Sequence, residues 1–169
     1  MINKDDIKSD HSFIKKNLKF LFCILITLII FVIDRVTKIK VLNSYSENLI
    51  YLNDFLNIDL IWNTGIGFGL LGTVSSIFYN LITIIIGVVI SILIYIVAIS
   101  QKIDQFIYSL IVGGALGNFY DRLIFKAVPD FIDIHFNNFH WFTFNVADIF
   151  ISLGIIIYMC KSFFINNNN

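Results

Sequence analysis

The stretch VSSIFYNLITIIIGVVISILIYIVAI, from Val74 to Ile99, contains no charged residue. At about 1.5 Å rise per residue, a helix of this length exceeds the ~30 Å hydrocarbon core of a bilayer. It predicts one tilted membrane span and makes lipid the solvent in which the rest of the chain is read. The flanking sequence agrees. Of 169 residues, 57% are hydrophobic and 14% charged, and mean hydropathy is +0.82; an average soluble domain carries about 25% charged residues. That composition excludes a soluble enzyme, a disordered chain and a disulfide-stapled secreted domain. Lys+Arg and Asp+Glu each number 12, so no basic excess points to nucleic acid. The length suits one domain, 1–169.

N-terminal to this span, Met1–Lys19 is polar, with Lys4, Lys8, Lys15, Lys16 and Lys19, and an apolar run follows from Phe20 to Ile33. No small-residue cleavage site ends the run, as a signal peptide would require. Asp34-Arg35-Val36-Thr37-Lys38 ends it instead, which predicts a retained span that Lys19 lengthens by snorkelling. C-terminal to it, a third span is expected over about Phe106–Tyr120 and a fourth over about Val146–Ile165, with Asn166–Asn169 as a polar tail. The lysine cluster places residues 1–17 in the cytoplasm. Four spans then return the C-terminus there and turn the loops at about 34–73 and 121–145 outward. Within those loops Leu56–Asn63 alternates with strand period, as do Phe131–Phe136 and Phe139–Phe144 about an Asn137-Asn138 turn. Trp62 and Trp141 suit the outer interface. The expected fold is an all-α membrane protein, four transmembrane helices with a small outward β element.

Several patterns carry little chemistry. Gly67-Phe68-Gly69-Leu70-Leu71-Gly72 fits G-x-G-x-x-G, but a charge-free span follows where a dinucleotide site needs a βαβ unit. Ser109, Gly113 and Gly117 recur every four residues, the spacing of close helix packing. Packing within the chain is the expectation, a dimer seam the alternative, and a monomer is expected. Cys23 and Cys160 sit in apolar runs and read as buried, reduced thiols. His135 and His140 with Asp133 suggest metal ligands only weakly, since five residues and a turn separate the histidines; the polar face of a hairpin suits them better. No metal site or cofactor is expected. No G-x-S-x-G elbow or H-E-x-x-H helix occurs.

The polar residues at the outer span ends are more informative: Asp34, Asn63, Asn118, Asp121, Arg122, Asp130, Asp133, Asn145 and Asp148. Ionisable groups at the membrane boundary cost free energy unless paired or hydrated. Asp34 and Lys38, four apart, can pair on a helix, Asp121 and Arg122 can satisfy neighbouring spans, and Asn145 can cap the fourth helix. Asp130 and Asp148 have no obvious local cation. Two such carboxylates brought together would share a proton, one activating water and the other acting as acid. On residues alone, Asp133 with Asp148 or Asp121 with Asp130 would serve equally. A rival class, a small transporter or channel component, would place ionisable residues near mid-bilayer, and the charge-free second span argues against it.

Taken in order, four blocks resemble the bacterial lipoprotein signal peptidase (signal peptidase II) family over about Phe20–Ile165. Asp34-Arg35-Val36-Thr37-Lys38 is similar to its D-x-x-(S/T)-K block. Asn63-Thr64-Gly65-Ile66-Gly67-Phe68 resembles N-x-G-A-A-F. Gly113–Arg122 resembles G-G-A-x-G-N-x-x-D-R. Val128-Pro129-Asp130-Phe131 and Phe144-Asn145-Val146-Ala147-Asp148 resemble V-x-D-F and F-N-x-A-D. The resemblance implies an aspartyl endopeptidase of the inner membrane, active on its periplasmic side. It implies cleavage of prolipoproteins just before a diacylglyceryl-modified cysteine, and inhibition by globomycin. It makes Asp130 and Asp148 the catalytic dyad and puts Asn63, Gly65, Asn118, Arg122 and Asn145 in or around the site. Asp34, Lys38 and Asp121 become supports of the architecture. It implies four transmembrane helices with a periplasmic β-cradle, and membrane lipid and prolipoproteins as partners. The chain departs from the family pattern at Ile66-Gly67, usually Ala-Ala, at Pro129, where an aliphatic residue is commoner, and at Lys126, where Gly is frequent.

Overall fold

The computed structural model describes residues 4–44, 49–64, 76–100, 103–137 and 139–166. Its elements are α1 (Lys4–Ser44), β1 (Ile50–Asn53), β2 (Leu56–Asn63), α2 (Ser76–Ile99), α3 (Ile103–Phe125), β3 (Val128–Phe136), β4 (Phe139–Phe144) and α4 (Val146–Asn166).

Helix α1 is longer than the apolar run at both ends. It starts at Lys4 rather than after a polar tail, and no Gly or Pro interrupts residues 4–44. It also runs on through Asp34–Lys38 to Ser44, because those charges are paired inside the bundle. Among the described residues, three helical stretches are long and apolar enough to cross a membrane: Leu18–Ser44, Ile77–Ile99 and Val146–Phe164. Their outer flanks expose large apolar side chains such as Ile77, Ile84, Tyr95, Met159 and Phe163. Exposed apolar surface on this scale belongs against lipid.

Helix α3 is central, packing on α1, α2 and α4. Small residues let its neighbours approach. A Cβ on Gly113 would lie 2.9 Å from Ile30 Cβ, and one on Gly117 2.4 Å from Asp34 Oδ2, both on α1. A Cβ on Gly114 would lie 2.4 Å from the Ala147 carbonyl oxygen of α4. The Thr27 hydroxyl donates to the Ser109 carbonyl at 3.3 Å. The Ser109–Gly113–Gly117 stripe thus serves packing within the chain. A small buried cluster of Cys23, Val97 and Val112 joins α1, α2 and α3. Cys160, read as buried, is exposed on α4, although both thiols are free.

The sheet is antiparallel in the order β1-β2-β3-β4. The alternating segments form β2, β3 and β4; β1 carries no such signal and was not expected. Asn137 has φ 53°, the left-handed geometry of a tight turn; Asn138 lies outside the described residues. Asp130 pairs with Ile61 and Pro129 with Trp62, but β4 meets β3 only from Ile132 onward. Pro129 therefore sits where β3 has one neighbour, which tolerates a residue lacking an N–H. Trp62 and Trp141 are both exposed, Trp62 against Phe125 with ring centroids 5.7 Å apart.

Candidate active site

Three chain segments converge at one end of the bundle. Strand β2 ends at Asn63, β3 follows α3 and carries Asp130, and β4 ends one residue before Asn145, which leads into α4 and Asp148.

Asn145 caps α4 as the sequence predicts. Its Oδ1 accepts the Asp148 N–H at 3.1 Å, and Asp148 Oδ2 accepts the Asn145 N–H at 3.1 Å. This reciprocal pair is a capping box, which satisfies two otherwise orphaned groups at the helix start. With its oxygen turned to the helix, the Asn145 amide nitrogen points away and donates to Asp130 Oδ1 at 2.6 Å. One fully buried side chain thus connects both aspartates. Asn63 Nδ2 donates to the other Asp130 oxygen at 2.9 Å, and Asn118 Nδ2 donates to Asp148 Oδ1 at 2.8 Å. Both carboxylates therefore face neutral amide donors, and neither has an ion-pair partner among the described residues.

Burial pushes the Asp130 carboxyl up from 3.8 to about 6. The Asn63 and Asn145 amides pull it down and the nearby Asp148 charge pushes it up. A carboxyl titrating near neutrality suits an acid–base role.

Behind the aspartates lies a buried ionic cluster. Lys38 Nζ donates to Asp34 Oδ2 at 2.8 Å, Asp121 Oδ2 at 2.7 Å and Asn118 Oδ1 at 2.8 Å. Arg35 Nη1 lies 2.7 Å from Asp121 Oδ1, and its guanidinium sits 4.9 Å over the Tyr120 ring. Asp34 Oδ1 accepts the Ala147 N–H at 3.0 Å, which docks the start of α4 onto α1. Sequence reasoning found the Asp34–Lys38 pair from its four-residue spacing. It missed Arg35, and it missed that Lys38 reaches Asn118 and Asp121.

The alternative carboxylate pairings are otherwise engaged. Asp121 belongs to the Lys38 cluster. Asp133 Oδ2 accepts from His140 Nδ1 at 2.8 Å, and the His135 and His140 rings stack with centroids 5.5 Å apart. Asp133 and His135 are buried rather than on a solvated face. Among the described residues no group of three or more His, Cys, Asp or Glu side chains is arranged to hold a metal ion. The described hydrogen bond of Arg122 is made by its backbone carbonyl, which accepts from the Tyr79 hydroxyl at 3.2 Å. Its buried Nη1 has no partner among the described residues. Gly65, the Ile66-Gly67 departure and the G-x-G-x-x-G stretch lie outside them.

Residues 26–164 match the signal peptidase (SPase) II family. The chain belongs to that family. It is 47% identical to a lipoprotein signal peptidase of Pelagibacter ubique (strain HTCC1062), over 90% of this chain and 95% of that one. It is 42% identical to a lipoprotein signal peptidase of Thermodesulfovibrio yellowstonii, over 79% and 89%. A bacterial membrane enzyme solved by the in meso method superposes with TM-score 0.71 at 30% identity, covering 88% of this chain and 91% of the other. As a signal peptidase II, the chain is a membrane peptidase, and its helices and small sheet are those of a membrane enzyme. Lys126, where the family pattern favours Gly, has φ 57° immediately after α3. It occupies the left-handed position that closes many helices, the conformation glycine adopts at least cost.

Proposed function

We propose that this peptidase is of the aspartyl type, with Asp130 and Asp148 as its dyad. The observation that carries the reading is the Asn145 side chain, hydrogen-bonded to Asp130 and to the backbone of Asp148, which ties the two residues together at a helix start. One carboxylate takes a proton from water as the water attacks the scissile carbonyl. The other, protonated, donates its proton to the carbonyl oxygen; the first then passes the proton taken from water to the leaving amine, and the gem-diol hydroxyl returns a proton to the second as the C–N bond breaks. The pair titrates as a unit. Asn63, Asn118 and Asn145 hold the carboxylates by neutral donors, so a single shared proton is not displaced by a neighbouring cation. Arg122 and Gly65 belong to the surroundings that receive substrate.

The substrates are prolipoproteins carrying diacylglyceryl-cysteine, cut just before that cysteine. Both the substrate lipid and its signal helix would enter from the bilayer, which the apolar flanks of α1, α2 and α4 suit. The chain acts as one four-span unit, a monomer in the bacterial inner membrane with the site on its periplasmic side, and it would be inhibited by globomycin.

The test is cleavage of a diacylglyceryl-modified prolipoprotein by wild type, Asp130→Asn and Asp148→Asn. Each variant should lose at least about a hundredfold in kcat while remaining folded. Near-normal cleavage by either folded variant would remove it from the dyad.

A further inference from the structure

Lys38 is completely buried. Its ammonium has three hydrogens and no lone pair, and three acceptors surround it: Asp34, Asp121 and Asn118. Every hydrogen is therefore engaged. The Asn118 amide has an acceptor end and a donor end on one rigid plane. The end facing an ammonium must be the oxygen, since an NH2 there would set donor against donor. Fixing Oδ1 on Lys38 fixes Nδ2 on Asp148, at 2.8 Å. Turned by half a rotation, the same amide would put its carbonyl oxygen against the Asp148 carboxylate and its NH2 against the ammonium.

We infer that Lys38 is a positioning residue for the peptidase reaction: it sets the direction of the Asn118 amide, and through it the hydrogen bond that aims Asp148. The inference rests on Asp148 belonging to the dyad. The distribution of contacts supports a directional role beyond charge compensation. Arg35 also approaches both carboxylates of the cluster, with Nη1 2.7 Å from Asp121 Oδ1 and Nη2 3.9 Å from Asp34 Oδ2. Among the described residues Arg35 contacts Asp34, Asp121 and Tyr120 and makes no bond to Asn118. Lys38's service to the carboxylates is thus partly duplicated, whereas its hold on the amide oxygen is not.

The test is a double-mutant cycle on the full chain in lipid vesicles, using Lys38→Met, Asn118→Ala and the double variant. A diacylglyceryl-modified prolipoprotein serves as substrate, and thermal unfolding is recorded alongside. Lys38→Met/Asp121→Asn, which removes one charge of each sign, guards against a fold lost to uncompensated buried carboxylates. Each single variant should lower kcat about 30-fold, equivalent to about 2 kcal/mol, with KM changed less than about twofold. The double variant should fall no further than the weaker single, and the pH profiles of Lys38→Met and Asn118→Ala should coincide. Losses in kcat that add, or wild-type kcat in folded Lys38→Met/Asp121→Asn, would overturn the inference. So would coupling that appears in unfolding temperature but not in kcat, with the dyad left standing. Near-normal cleavage by Asp148→Asn is the separate failure that removes the dyad and this inference with it.

Discussion

Asp130 shows how one residue's surroundings set its chemistry. Its two oxygens receive amide hydrogens from Asn145 and Asn63, yet burial outweighs them and lifts the carboxyl to about 6. Removing the Asn63 donor removes an interaction that lowers this value. In Asn63→Leu the limb of the pH–kcat/KM profile governed by Asp130 should therefore move to higher pH; an unmoved or acid-shifted limb would show that Asp130 does not govern it. The same shift is a statement about stability. The folded value lies above the ordinary 3.8, so the contribution of this group is full below about pH 4 and is lost as pH rises through about 6. Asp130→Asn should thus gain unfolding temperature over wild type at pH 8 relative to pH 4, measured in the same detergent. Lys126 is a second local case. A side chain in the left-handed region costs about 1 kcal/mol relative to glycine, so Lys126→Gly should raise stability by about that amount in denaturant unfolding. No gain would mean that the lysine side chain offsets the strain through a contact of its own. What was legible in the sequence at this scale was local. The Asn145 cap and the Asp34–Lys38 pair lie three or four positions from their partners. The Lys38–Asn118 and Asn63–Asp130 bonds span 80 and 67 positions, and no spacing rule reaches that far.

Among elements, the strands that were legible are those long enough to alternate. Strand β2 spans eight residues and β3 nine, whereas β1 has four, and its register slips between Tyr51 and Asn53. Three adjacent apolar residues followed by Asn show no period of two. Helix boundaries were misjudged where pairing hides charge: α1 continues through Asp34–Lys38 because Asp121 and Ala147 complete that turn's partners from other helices. Contact between α3 and α4 rests on Gly114, and its replacement separates two kinds of crowding. A methyl there would meet the Ala147 backbone carbonyl at 2.4 Å, and a backbone at a helix start cannot step aside. A methyl on Gly87 would meet only the tip of the Phe119 ring, at 3.1 Å. Gly114→Ala should therefore lose about 1–3 kcal/mol of stability and, because Ala147 adjoins Asp148, most of its peptidase activity. Gly87→Ala should leave activity within about twofold. Equal behaviour of the two in unfolding and cleavage assays would show that the α3–α4 approach does not position the site.

At the scale of the whole molecule the number of membrane crossings turns on α3. Helices α1, α2 and α4 are long and apolar enough by themselves. Helix α3 is more polar, but it packs on all three others and keeps Gln105, Ser109 and Asp121 buried within the bundle. A helix shielded from lipid by its neighbours does not need an apolar surface all round. Its length suffices: at about 1.5 Å per residue, its 23 residues reach about 35 Å. Charge also lies at its two ends. Asp104 near its start pairs with Lys161 near the end of α4, and Asp121 near its end joins the Lys38 cluster beside the start of α4. The two antiparallel helices therefore share one polar end, then an apolar stretch, then a second polar end, as two spans of one bilayer would. Four crossings place the ends of the chain on the same side. A reporter active only in the cytoplasm, fused after Asn169, should therefore be active. A cysteine introduced at Asp54, in the exposed turn between β1 and β2, should react with a membrane-impermeant thiol reagent from outside once Cys23 and Cys160 are replaced. A periplasmic C-terminus with Asp54→Cys still labelled from outside would mean three crossings. It would leave α3 lying within the protein without spanning the membrane, so α4 would start on the side of Asp104 and carry Lys161 across the bilayer, splitting the Asp104–Lys161 pair. The bundle's separation of its two polar ends along α3 opposes that arrangement.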